Sequence, residues 1–306
     1  MQHSPKVAIE PLIARVAPGL FIVLWSSGFM GAKYGLPYAE PFTFLAIRMI
    51  VVVALLAVIM VPARLGRPSG TVIGHNIVSG LLVHGCYLGG VFTTIENGLP
   101  TGLVALIVSL QPVLTSTVAN RTLGERVTPL QWSGLALGVI GVYLVVHDKL
   151  AGGGTAWPAW PAITVALFGI TAGTLYQKRF GGGLDWRMQF LIQYGAAGLL
   201  FGLIALLFEG RVVEWNLTFI FALAWMVLVM SFAAIWLFYF LIKRTATTRL
   251  TSLLYLMPPV TALMGWTLFD ERLAPLALLG MAICVVGVFL VNHSPYPCGT
   301  CALDKS

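Results

Sequence analysis

Apolar runs separated by short polar breaks recur along the whole chain. Residues 17–36, 41–61, 73–95, 100–120, 128–147, 158–179, 187–208, 217–242, 247–268 and 274–292 form ten such runs. Each is close to the roughly 20 residues a helix needs to cross a bilayer. The breaks hold turn-forming residues: Leu36-Pro37, Arg64-Leu65-Gly66-Arg67-Pro68, Asn97-Gly98-Leu99-Pro100, Gly152-Gly153-Gly154 and Gly181-Gly182-Gly183. The pattern predicts an all-α polytopic membrane protein with ten transmembrane helices. Tails are expected at 1–16 and 293–306, and a linker at 148–157. Composition narrows the class further. Of 306 residues 58% are hydrophobic and 9% charged, with a mean hydropathy of +0.90, whereas soluble domains carry about 25% charged residues. Ten spans leave too few residues for a separate soluble domain, which excludes a cytosolic enzyme, a nucleic-acid binder and a single-span receptor.

The net charge of +7 bears on topology rather than on partners. Counted on alternate sides with the N-terminus inside, thirteen Lys and Arg fall on one side and four on the other, with Arg48 alone inside a span. Cytoplasmic loops carry such an excess, so both termini are expected in the cytoplasm, most naturally of a bacterial inner membrane. The first fifteen residues, with Pro5, Glu10 and Pro11, do not read as a signal peptide. Cys86 and Cys284 sit in apolar runs as small buried hydrophobes, and Cys298 and Cys301 form a lone C-x-x-C in the tail, half a zinc site at most.

The two halves of the chain resemble each other. Thr101-Gly102-Leu103, Pro112-Val113, Glu125-Arg126-Val127-Thr128-Pro129, Gly134 and Gly141 are followed later by Thr248-Arg249-Leu250, Pro259-Val260, Glu271-Arg272-Leu273-Ala274-Pro275, Gly280 and Gly287. Gly28 and Lys33 have counterparts in Gly173 and Lys178. The repeats occupy 17–147 and 158–292. Five spans per repeat is odd, so the second copy is expected to enter the membrane inverted, a signature of secondary transporters with a site between the halves. Glu125 and Glu271 have a local explanation as turn residues beside the next helix start.

These paired blocks resemble the EamA domains of the drug/metabolite transporter superfamily, over nearly the whole chain. Trp25-Ser26-Ser27-Gly28-Phe29 in the first span, and Pro41 followed by Arg48 in the second, resemble the same family. The resemblance implies two inverted five-helix repeats around a central cavity lined by spans 1, 3, 4, 6, 8 and 9. Length and opening look most like the YddG-type amino-acid exporters of that superfamily, which implies export of aromatic and other neutral amino acids.

Polar groups inside a membrane are costly and so are candidates for function. No Asp or Glu falls in the middle of any expected span, which argues against tight proton coupling and for facilitated transport. His84 is the one mid-span group titrating near neutral pH; it reads either as a substrate or water-path contact or as a hydrogen-bonded packing histidine. Tyr87 shares its face. Arg48 is expected to pair structurally with Glu40 or Glu96, with substrate contact as the other reading. Among the 17 Phe, 9 Trp and 9 Tyr, Trp157, Trp160, Trp186 and Trp215 fall near span ends as interfacial anchors. Trp25, Tyr87, Tyr176, Trp236, Tyr239 and Tyr255 lie deeper, on spans the resemblance assigns to the cavity, and are expected to line it together with Ser26, His84 and Gln111. Pro112, Pro258 and Pro259 interrupt spans 4 and 9 at matching positions, as hinges, backbone ligands or static kinks.

The expected function is secondary transport: export of small neutral metabolites, amino acids above all, by alternating access. The expected partners are that small-molecule substrate and membrane lipid, with no nucleic acid, cofactor or metal. Efflux of drug-like or quaternary cations is the alternative, because an aromatic cage holds a cation without a carboxylate. A membrane-embedded enzyme needs a nucleophile with a base or clustered metal ligands, and His75, His84 and His147 are scattered.

Overall fold

The computed structural model describes residues 6–60, 68–99, 104, 107–122, 127–147, 159–269 and 275–293. The helices are α1 (Lys6–Gly35), α2 (Pro41–Met60), α3 (Gly70–Glu96), α4 (Gln111–Thr122), α5 (Pro129–Val146), α6 (Ala159–Phe180), α7 (Trp186–Phe208), α8 (Leu217–Arg244), α9 (residues 247–269) and α10 (Pro275–Asn292). The Glu-Arg turns at Glu125 and Glu271, the linker at 148–157, Trp157 and the Cys298 and Cys301 tail lie outside the described residues.

Among the described residues, seven helices are long and apolar enough to cross a bilayer: α1, α2, α3, α6, α7, α8 and α10. In hydrocarbon a segment must satisfy its backbone groups internally, and a helix does so. Their outer faces carry exposed Val58, Leu207, Phe208 and Phe221, a surface that water would not tolerate and lipid does. Trp160 and Trp215 are exposed near helix ends. Polar side chains fix several helix starts. Thr128 and Gln131 form a capping box on α5, Asp185 caps α7 and Asn216 caps α8. The Glu209 carboxylate accepts the Phe42 and Thr43 amides at 2.8 and 2.6 Å, so an anion from the α7–α8 loop meets the positive end of α2.

Two interruptions were legible as prolines and take a different form. Residues 109–110 make a turn before α4 begins at Gln111. In α9 a 3₁₀ stretch, Leu253–Leu256, precedes the α-helix Met257–Phe269. Pro112 and Pro258-Pro259 therefore sit in the first turn of a resumed helix, where a missing N–H costs no bond. Wide π-helical stretches were not anticipated. One is Leu81–Cys86 in α3 and the other Met226–Ala234 in α8. The 147-residue offset between Thr101 and Thr248 carries the first inside the second.

Helix packing follows the repeat. α5 lies along α10 and α2 along α7; α3 packs on α6 as α8 packs on α1, and α4 meets α6 as α9 meets α1. Matching helices run antiparallel where they meet. A Cβ on Gly134 would sit 2.7 Å from the Gly287 carbonyl, and one on Gly141 2.8 Å from that of Gly280, so the absent side chains let two backbones touch. Gly28 opposes Met230 of α8, and its counterpart Gly173 opposes Val83 of α3. One end of the bundle carries Lys178, Arg179, Arg187, Lys243, Arg244 and Arg249; the other carries Glu40, Glu96, Glu209 and Glu214 with Lys33 and Arg211.

Candidate functional site

Helices α1, α2, α3 and α8 line a small cavity of about 40 Å³ among buried side chains. α1 contributes Trp25 and Phe29, α2 contributes Arg48, α3 contributes His84 and Tyr87, and α8 contributes Met226 and Met230. Both π-helical stretches thus lie against it, as such bulges often do at functional sites. The Trp25 ring stacks on Tyr87 at 6.3 Å and leans on Phe238 at 5.4 Å and Phe21 at 5.1 Å. His84 stacks on Tyr194 at 4.4 Å, and among the described residues its Nε2 has no hydrogen-bond partner. Ligand pockets usually run about 300–1,000 Å³, so this wall must part to admit a whole metabolite. The unbranched Met226 and Met230 side chains are its most adaptable section.

Arg48 corrects the expectation of a structural ion pair. It is 2% exposed and sits on the inward stripe Leu45, Arg48, Met49, Val52 and Leu56 of α2, residues that share a helix face. Its Nε donates to Ser231 Oγ at 3.0 Å, and among the described residues its Nη1 has no partner. Glu40 instead accepts the Arg211 amide at 3.0 Å, and no hydrogen bond joins Glu96 to Arg48. Seven residues into α2, the guanidinium is carried inward on the buried face, out of reach of the carboxylates at that helix's end.

A second polar group lies between the cavity and the basic end. Gln193 Nε2 donates to Asn76 Oδ1 at 3.0 Å and to Gln177 Oε1 at 3.1 Å. Ser79 donates to Gln177 Oε1 and Tyr239 to Gln193 Oε1, each at 2.5 Å. Four helices, α3, α6, α7 and α8, are stitched together by one buried network. The 145-residue offset relating Gly28 to Gly173 carries Arg48 onto Gln193. Asn76, Ser79, Gln177 and Gln193 are absent from the expected site, since they carry neither a charge nor a ring. An uncharged amide within an apolar run was the available signal.

The other expected lining residues lie elsewhere. Tyr239 is in the amide network. Gln111 donates to Thr174 Oγ1 at 3.1 Å, beside the buried Pro112. Tyr176 bonds His75 Nδ1 at 2.7 Å and packs on Phe180 near the basic end. Tyr255 fills the seam of α5, α9 and α10 with Leu135, Val142 and Cys284, and Pro258 and Pro259 follow it. Ser26 is fully buried with an unpartnered hydroxyl and is not on the cavity wall. Trp236 is 36% exposed and stacks on Phe240 at 5.3 Å. The preceding π-helical stretch turns each residue through a smaller angle, which rotates Trp236 outward. The cavity therefore gathers Trp25, His84 and Tyr87 from the expected set and adds Arg48.

Similarity to known proteins now bears on this geometry. A relative from Escherichia coli (strain K12), named a probable amino-acid metabolite efflux pump, is 26% identical over 281 residues, 89% of this chain and 92% of its own. An uncharacterized transporter, YvbV, of Bacillus subtilis (strain 168) is 26% identical over 304 residues, covering 95% and 94% of the two chains. A crystal structure at 20% identity superposes with a TM-score of 0.73 over 90% of this chain and 94% of the other, a likeness of fold. The relatives are transporters rather than enzymes. The model of the EamA-like transporter family matches residues 19–147 and again 158–293, one match per half. This chain, an integral membrane protein of two such repeats, belongs to the EamA-like transporter family.

Proposed function

We propose that the protein exports small neutral metabolites, foremost amino acids including aromatic ones, across a bacterial inner membrane by alternating access. The observation that carries this reading is the buried cavity where α1, α2 and α3 of the first half meet α8 of the second, with Trp25 and Tyr87 stacked on its wall. Aromatic rings with polar edges suit an apolar side chain on a polar backbone. The antiparallel contacts of α5 with α10 and of α2 with α7 support an inverted repeat, and ten spans follow from five helices per half. Excess Lys and Arg mark the cytoplasmic side, which assigns the basic end to the cytoplasm.

We take the amide network, which joins α3, α6, α7 and α8 between the cavity and the basic end, as the closed gate on that side. Rocking one half against the other would break it and close the opposite end in turn. Direction is taken from relatives named as efflux pumps. Among the described residues no carboxylate lines the cavity, which supports a facilitator without tight proton coupling. The cationic-drug alternative is disfavoured by Arg48, whose guanidinium on the cavity wall repels a cation.

Purified protein in liposomes tests this reading. Labelled phenylalanine, tryptophan, threonine and methionine are offered with and without an imposed pH gradient. Saturable uptake indifferent to the gradient is expected. Accumulation driven by the gradient would overturn the facilitator, and transport of cationic dyes without amino acids would overturn the cargo.

A further inference from the structure

We propose that Arg48 is an anion anchor that holds the carboxylate of the transported metabolite, with Ser231 positioning it. The inference rests on the transporter reading above and names the substrate group that this cavity selects. A guanidinium stays protonated under all ordinary conditions, and burying a charge within a membrane protein is tolerated where a partner or a water-lined cavity compensates it. Among the described residues Arg48 has one hydrogen-bond partner, the neutral Ser231 hydroxyl. Two carboxylates at the start of α2 are committed elsewhere: Glu209 to the α2 amides and Thr43, Glu40 to the Arg211 amide. A fully buried cation without a counter-ion faces a cavity.

The local geometry leaves one edge of that cation unsatisfied. Ser231 lies in the π-helical stretch of α8, where its hydroxyl donates to the Met226 carbonyl at 3.0 Å. Its own carbonyl accepts the Tyr194 hydroxyl, also at 3.0 Å. The acceptor for Arg48 Nε is thereby fixed from both sides, which sets the guanidinium plane and leaves Nη1 unbonded. A guanidinium fork recognises a planar carboxylate by two parallel N–H bonds. Arg48 lines the cavity of about 40 Å³, the space from which a carboxylate would approach it. Trp25 and Tyr87 line the same cavity, and such rings attract the substrate ammonium. A small inorganic anion shares the carboxylate's chemistry, so the test must separate the two.

The experiment uses full-length protein in chloride-free, gluconate-buffered liposomes. Uptake of labelled phenylalanine is competed by phenylalanine, by phenylalaninamide, which lacks the carboxylate, and by 3-phenylpropionate, which lacks the ammonium. The amide should compete about tenfold or more weakly than the acid, as loss of a charge-assisted pair requires. Phenylpropionate should still compete. In Arg48→Gln the acid should lose that advantage, whereas Arg48→Lys should keep part of it. Equal competition by acid and amide in the unaltered protein overturns the anchor and leaves the transporter reading standing. Absence of any amino-acid uptake overturns the cargo itself. Thermal unfolding separates the ion sources: stabilisation by phenylalanine and not by chloride is expected, and the reverse would assign Arg48 to an inorganic anion and overturn the carboxylate. If Arg48→Gln fails to fold, the acid and amide comparison in the unaltered protein decides alone.

Discussion

Trp25 and Trp236 are both tryptophans deep in apolar helices, yet they meet opposite surroundings. Trp25 is packed against Tyr87 and Phe238 at the cavity, whereas Trp236 faces outward against Phe240. Trp25→Ala should therefore lower phenylalanine transport about tenfold, as removal of a buried aromatic anchor does. Trp236→Ala should change it by no more than about twofold, as surface substitutions do. Transport assays normalised to folded yield check both, and a severe Trp236→Ala defect would mean that this ring meets the substrate path in another conformation. Tyr239→Phe removes one hydrogen bond from the closing network, worth about 1 kcal/mol, roughly a fivefold shift between open and closed forms. The variant should exchange substrate faster or leak, and unaltered kinetics would remove the network from the gate. The sequence singled out Trp25, His84 and Tyr87, because aromatic and titratable residues are conspicuous in apolar runs. It misjudged Arg48, because every neighbour of Arg48 in α2 from Phe44 to Met60 is apolar and no polar stripe marks which face is buried.

At the scale of elements, the apolar runs located the helices well and located their irregularities badly. The expected boundaries of α2, α7 and α10 lie within two residues of those observed, since length and turn residues bound a span. Gly98 and Gly183, in two of the glycine-containing breaks, adopt φ of 80° and 87°, a region open to glycine at little cost. The π-helical stretches of α3 and α8 carry no proline and no distinctive composition. The stretch in α8 receives tertiary bonds at Ser231 from Arg48 and Tyr194, which a linear reading does not contain. The seam of α5 with α9 and α10 shows how tightly elements fit: a Cβ on Gly138 would strike the Tyr255 ring. Gly138→Val should cost about 1–3 kcal/mol by overpacking and lower the unfolding temperature in detergent. An unchanged transition would show that the seam yields freely.

Across the whole molecule the two ends differ in charge and the two halves differ in what they enclose. Reporter fusions at both termini should report the cytoplasm, on the basic side of the bundle; a periplasmic signal from either would reverse the assignment of ends. Arg48 and Gln193 occupy corresponding positions, but Gln193 is engaged with Asn76, Gln177 and Tyr239 while Arg48 keeps an unbonded nitrogen beside the cavity. Matching positions thus carry different side chains in different bonding states, a difference that the proposed alternating access would use.

The sequence by itself determined the membrane class, the helical fold, the twofold repeat and the family, because these depend on local quantities: apolar run length, turn residues and motif spacing. It also supplied three of the cavity's side chains. Only the tertiary structure decided that Arg48 is a buried, partly unbonded cation at that cavity, that Gln193 knots four helices together, and that Trp236 points away. A helix apolar on every side hides its orientation, and which face turns inward is settled by neighbours brought from distant parts of the chain.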